Sequence, residues 1–242
     1  MLKKWIDGVP AELRLALGFL ALVLAWCAGK WAVAAAHAAV FPFGLDYAEG
    51  VVWQQARLIF SDQAYGPIAR YPATVFEYAP LYHAVVAGFA AMTGADGLLV
   101  GRLVTIASTL AACLLVRAIV IALGRKGDDA RLIRLCAGFG GALALATRPV
   151  LLWSVVMRVD MLFVVLSLGG VLLALRAVSR PALIHLAALL FVAAIFTKQT
   201  AVAAPAAVFG VLLFVRPATA LRAQDIGASE KKGGRLKVLN QA

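Results

Sequence analysis

Leu81–Thr93 reads LYHAVVAGFAAMT, and whether this run crosses a membrane decides the orientation of everything after it. Pro80 opens it, and it holds about 13 residues, short of the roughly 17–25 apolar residues that a bilayer span takes. If it does not span, the next apolar run, Gly101–Leu123, points inward. Arg125, Lys126, Arg131 and Arg134 then lie in the cytoplasm, followed by Arg176 and Arg180. So do Arg216, Arg222, Lys231, Lys232, Arg235 and Lys237. If it spans, every one of these clusters moves outside. Lys and Arg concentrate on the cytoplasmic side of membrane proteins, so the run reads as an interfacial or re-entrant helix.

Composition agrees with a bilayer as the solvent. The chain is 63% hydrophobic and 14% charged, with a mean hydropathy of +0.91. No water-soluble core hides that much apolar surface. The formal charge of +11 raises nucleic acid as a partner. However, the basic residues sit between apolar runs and at both ends, which is the pattern of loops and not of a basic groove. Nucleic acid is therefore excluded as a partner. Cys27, Cys113 and Cys136 lie inside apolar stretches at irregular spacing and form neither a disulfide framework nor a metal motif.

The expected fold is all-α: a polytopic bundle of about six spans with two juxtamembrane helices in the first outer loop. The spans read as Leu15–His37, Gly101–Leu123, Leu132–Val150, Val159–Val178, Ala182–Thr197 and Thr200–Val215. Lys3 and Lys4 place the N-terminus in the cytoplasm, and the first span reads as a retained anchor, being long for the apolar core of a signal peptide. Residues 1–216 form the membrane module, with an outer loop over 41–100. Residues 217–242 form a polar, basic tail, expected to be disordered and close to anionic lipid. The small-residue run CAGFGGALALA (Cys136–Ala146) suits close helix packing.

The outer loop carries Asp46, Glu49, Asp62 and Glu77 and all five tyrosines. Its first part, Tyr47–Asp62, is an amphipathic helix with Ala48, Val52, Ala56, Ile59 and Phe60 on one face. On this topology Asp46 and Glu49, Glu77, the triplet Arg158-Val159-Asp160, and Lys198 all reach the outer surface. Ionisable groups gathered at span ends are candidates for function. Each also has a plainer reading. Asp46 and Glu49 match a capping box. Arg158 and Asp160 can pair with each other, and Lys198 can snorkel to headgroups. His83 and His185 read as packing residues, and the tyrosines with Trp153 as an aromatic belt.

These motifs, in this order, resemble the GT-C membrane glycosyltransferases, in particular the aminoarabinose and protein O-mannosyl transferases. The resemblance covers about residues 10–216. It rests on Leu45-Asp46-Tyr47-Ala48-Glu49 after the first span, Ala79-Pro80-Leu81-Tyr82-His83, Arg158-Val159-Asp160-Met161-Leu162 opening a later span, and Thr197-Lys198-Gln199 at an outer turn. Family members are about twice this length, so the resemblance implies either a truncated gene product or the N-terminal half of a split one, with a C-terminal half as partner.

The resemblance further implies a sugar donor linked to polyprenyl phosphate, used on the non-cytoplasmic face of an inner or plasma membrane. The acceptor would be a hydroxyl on a glycan, lipid or protein. Asp46 and Asp160 are the catalytic candidates. Glu49, Glu77, Tyr78, Tyr82, His83, Arg158 and Lys198 are the substrate-binding candidates. Asp160 has three options: orienting Arg158, holding the acceptor, or helping to bind a divalent metal. The rival class is non-catalytic, a transporter subunit or scaffold with an outer acidic site. A transporter places polar groups at the bilayer midplane, and here the mid-span positions are nearly free of charge.

Overall fold

The computed structural model describes residues 10–214, apart from 70, 72, 73 and 126. The described residues are helical with no strand. In chain order the helices are α1 (Ala11–Val40), α2 (Tyr47–Leu58), α3 (Leu81–Thr93), α4 (Gly97–Leu123), α5 (Ala130–Ala146), α6 (Arg148–Trp153), α7 (Asp160–Ala177), α8 (Leu183–Thr197) and α9 (Ala203–Phe214). Three of them, α1, α4 and α7, are long and apolar enough to cross a membrane. α1 turns Leu15, Phe19, Leu22 and Trp26 outward, each at least 70% exposed, an apolar stripe that water would not tolerate and lipid does. The protein is a membrane protein by this measure. α5 and α8, at 17 and 15 residues, are apolar but shorter. The charged tail after residue 216 and the N-terminal lysines fall outside the described residues.

Helix ends follow local chemistry. Pro42 stops α1, since a residue before proline is driven out of the helical region, and Phe41 is extended at φ −74°, ψ 121°. Gly94 ends α3 in the left-handed conformation at φ 67°, where a Cβ would be strained. Asp96 caps α4 by accepting from the N–H of Leu98 at 2.7 Å and of Leu99 at 3.4 Å. Several expected boundaries move. α1 begins at Ala11 and α4 at Gly97, each four residues earlier than expected. The amphipathic helix ends at Leu58, before a series of turns, and the span expected over Leu132–Val150 breaks after Ala146. Pro149 explains the break: without an N–H it fits the first turn of a new helix, α6, and not the interior of α5.

α7 packs antiparallel on α8 and α4 antiparallel on α5, while α4 runs parallel to α7 and α1 parallel to α5. Small residues allow the closest approaches, as expected for Cys136–Ala146. A Cβ on Gly141 would meet the Cys113 carbonyl of α4 at 2.8 Å, and one on Gly170 of α7 would meet the Phe191 ring of α8 at 2.5 Å. Two cores result. Val52, Ala56, Tyr82, Val86, Val100, Met157 and Val159 form one, and Trp31, Ala35, Ala38, Leu145, Val155 and Val156 the other.

The segment Ser154–Val159, between α6 and α7, supplies residues to both cores yet is not helical. A buried irregular backbone needs partners for its polar groups. Met157 N–H finds one in Glu49 Oε1 at 2.6 Å, and the Arg158 carbonyl accepts from Thr105 Oγ1 at 3.3 Å. The Ser154 side chain accepts from Trp31 Nε1 at 2.7 Å. These bonds fix the position of the residues that follow.

Candidate functional site

Asp160 is the first residue of α7, and Lys198 follows the last residue of α8. A helix N-terminus favours an anion and a C-terminus a cation. Because α7 and α8 pack antiparallel, these two ends meet, and Lys198 Nζ lies 2.6 Å from Asp160 Oδ1. The other Asp160 oxygen accepts from Arg158 Nε at 3.1 Å. Arg158 Nη1 in turn lies 3.2 Å from Asp46 Oδ2. Asp46, Arg158, Asp160 and Lys198 thus form one alternating row, drawn from three stretches more than thirty residues apart.

The row is neither buried nor free in solvent: its side chains are 19% to 23% exposed. Aromatic faces wall the cations. The Arg158 guanidinium stands 4.3 Å from the Trp153 ring centre, and Lys198 Nζ 5.3 Å from that of Phe163 and 5.9 Å from that of Tyr78. Burial alone would disfavour the charge on Arg158. The bond to Asp160 and the charges of Asp160 and Asp46 outweigh it and hold the guanidinium proton more tightly than usual. Asp46 occupies the N-cap position of α2 but makes no capping bond. The capping reading of Asp46 is therefore replaced by the ion pair.

Arg158 also borders a cleft of about 600 Å³. Tyr47, Ala48, Gly50, Val51 and Gln54 of α2 form one wall, and Thr74, Val75, Glu77 and Tyr78 the other. The second wall is non-helical chain tied down through its carbonyls. Gln55 Nε2 donates to Val75 O at 2.5 Å, Gln199 Nε2 to Glu77 O at 2.8 Å, and Tyr65 Oη to Tyr78 O at 2.8 Å. Glu77 and Tyr78, two of the expected substrate-binding residues, line the cleft. The described residues contain no cluster of three metal-ligating side chains.

Three expected binding residues lie elsewhere. Tyr82 is fully buried, its hydroxyl donating to Gly101 O at 3.0 Å and lying 3.2 Å from Thr105 Oγ1. Burial pushes its ionisation upward, so it stays a neutral core tyrosine. His83 is fully buried, with Nε2 2.8 Å from Gln55 Oε1 and edge-on contacts to Phe76 and Tyr82. Glu49 is fully buried on Arg102, which is itself fully buried. Arg102 donates from Nε to Glu49 Oε1 at 2.9 Å and from Nη2 to Oε2 at 2.8 Å. Its remaining N–H groups take the carbonyls of Ala38 at 2.7 Å and of Phe41 and Phe43 at 2.6 Å. All five donors of the guanidinium are satisfied. Burial raises the Glu49 carboxyl, but the bonds from Arg102, Met157 and Leu45 outweigh it and hold the group below the usual carboxylate range. Glu49 contacts no cleft, and its capping role is shifted by one residue: it accepts the N–H of Leu45, not of Asp46.

Arg102 was not a candidate on sequence grounds. The signal was an arginine in the first turns of a long apolar run, a position that serves no anchoring need. No protein-family model, curated protein or solved structure matches the chain.

Proposed function

We propose that the chain is a membrane glycosyltransferase of the GT-C type. In this reading it moves a sugar from a polyprenyl-phosphate donor to an acceptor hydroxyl on the non-cytoplasmic face. The observation that carries it is the partly exposed Asp46–Arg158–Asp160–Lys198 row beside the cleft. Six spans, with α2 and α3 lying along the outer surface, are part of the same reading, which puts Arg125, Arg131, Arg134, Arg176 and Arg180 on the cytoplasmic side, the side that Lys and Arg favour. A C-terminal half completing the lipid groove is the partner it implies.

The chemistry follows from unspent bonding capacity. Arg158 gives two of its five N–H groups to Asp160 and Asp46, and Lys198 gives one of three to Asp160. Among the described residues the remaining donors carry no bond. They suit the phosphate oxygens of a leaving group, whose charge grows as the bond to the anomeric carbon breaks. Asp46 Oδ1 likewise takes no bond among the described residues, and a free carboxylate oxygen suits the proton of the acceptor hydroxyl. In the step, the acceptor oxygen bonds to the anomeric carbon, its proton passes to Asp46, and the anomeric C–O electron pair leaves with the phosphate. Asp160 holds both cations.

Binding tests the reading first. In detergent, the protein should retain a long polyprenyl phosphate in preference to the neutral polyprenol of equal length. Arg158→Gln and Lys198→Gln should erase that preference, and equal retention by the unaltered protein would overturn the proposal. Asp46→Asn should preserve the preference and lower transfer by about 10²–10⁴-fold.

A further inference from the structure

We propose that Glu49 and Arg102 are positioning residues, a buried ion pair that sets the separation between Asp46 and Arg158. The inference rests on the reading of those two side chains as the reacting pair. Its core is one carboxylate. Glu49 Oε2 accepts the N–H of Leu45 at 2.6 Å, and Oε1 accepts the N–H of Met157 at 2.6 Å. Leu45 directly precedes Asp46, and Met157 directly precedes Arg158. The two oxygens of a carboxylate are held at a fixed spacing by one planar carbon. The backbone amides just before the two functional side chains are therefore locked to each other, although they lie 112 residues apart.

Arg102 keeps that carboxylate from turning. It grips both oxygens and adds bonds to Ala38, Phe41 and Phe43. The Phe43 carbonyl lies three residues before Asp46, so the same guanidinium also steadies the chain leading to it. Met157 is further pressed onto Gly101, one residue before Arg102, where a Cβ would lie 2.5 Å from the Met157 Sδ. An apolar pair of similar volume would avoid burying charge, but it would leave the N–H groups of Leu45 and Met157 and the carbonyls of Ala38, Phe41 and Phe43 without these partners. It would hold neither amide.

Substitution separates positioning from bulk stability. Glu49→Gln keeps the shape but replaces one acceptor oxygen with an NH₂ donor. That donor faces an N–H at every place Glu49 now accepts, so one arm of the clamp must release. Arg102→Lys keeps the charge but offers three donors in place of five. Trp153 reports the outcome without any substrate, since Arg158 lies against its ring. The protein is labelled with fluorotryptophan in detergent, and the Trp153 resonance is assigned by Trp153→Phe.

Glu49→Gln and Arg102→Lys should both move the Trp153 fluorine signal toward its position in Arg158→Gln. The signal of Trp26, on the outward face of α1, should stay in place as evidence of fold. Gly170→Ala, which strains the α7–α8 contact without touching the clamp, should leave Trp153 unmoved. Preference for polyprenyl phosphate should fall in the clamp variants in step with the shift. A misplacement of this kind costs up to about 10²-fold in rate. Folded clamp variants with an unmoved Trp153 signal overturn the proposal. Loss of fold in both also overturns it, by making the pair a folding element. A moved Trp153 signal with no phosphate preference in the unaltered protein leaves the clamp standing and removes the transferase reading.

Discussion

His83 should make the protein lose stability steeply as pH falls from 6.5 to 4. Its ring is enclosed by Gln55, Phe76 and Tyr82. Gln55 Nε2 donates to Val75 O, so Oε1 faces His83 Nε2, which carries the ring proton. Nδ1 is left buried without a partner. Burial disfavours the imidazolium and drives the pKa down from 6.5 to about 4. The Ala79 carbonyl opposes this in part, because it can accept from Nδ1 once that nitrogen is protonated. The folded value lies below the unfolded one, so the unfolded chain takes up the proton first as pH falls. The His83 contribution is whole above pH 6.5 and is lost as pH approaches 4. At about 1.36 kcal/mol per pH unit, the gap amounts to about 3 kcal/mol. For a chain of this size that corresponds to roughly 6–12 °C in melting temperature. His83→Gln places an amide NH₂ near the position of Nε2 and removes the titration. Melting curves in detergent across pH 7.5 to 4 are the assay, with the difference between the two proteins cancelling the carboxylates they share. Parallel pH profiles for the two proteins would refute the argument, as would a His83 ring titrating near 6.5 by NMR.

Other outcomes follow from the same geometry. Gly170→Ala should cost about 1–3 kcal/mol, because its Cβ meets the rigid Phe191 ring. Gly29→Ala, in open space on α1, should instead stabilise by about 0.5–1 kcal/mol, both read by thermal melts. Asp96→Ala should lose roughly 0.5–2 kcal/mol with its two capping bonds, while Asp46→Ala should show no capping loss. Single cysteines at Gln63 and Gly127, in a background lacking Cys27, Cys113 and Cys136, should label from opposite sides of the membrane. Labelling of position 127 from the outer side would invert the proposed topology.

The helices were largely legible because their apolar runs are long and bounded by polar or breaking residues. Leu81–Thr93 matches its expected limits at both ends, with Pro80 before it and Gly94 after it. The break at Thr147-Arg148-Pro149 was missed because apolar residues continue on both sides of the proline. Convergence of Asp46, Arg158, Asp160 and Lys198 was legible from topology alone, since all four fall at one end of the bundle. Which polar residues face outward was not. Glu49, Tyr82 and His83 are as polar as Asp46, Tyr78 and Glu77, and no periodicity separates a residue bonded in the core from one facing a cleft. α2 shows the difficulty. Its buried side holds Val52 and Ala56 as expected, but also Glu49 and Gln55, each with a partner far away in sequence.

The row of charges, which reaches the cleft through Arg158, has a consequence for the range over which it acts. Its two negative and two positive members sum to zero. Charges that cancel in sum leave a field that fades much faster with distance than that of a single ion. Little of it extends beyond the screening length of about 8 Å in physiological salt. A ligand approaching through solvent or lipid is therefore not steered by this row from afar. It meets strong, separate charges only on contact, and added salt should change its arrival rate very little.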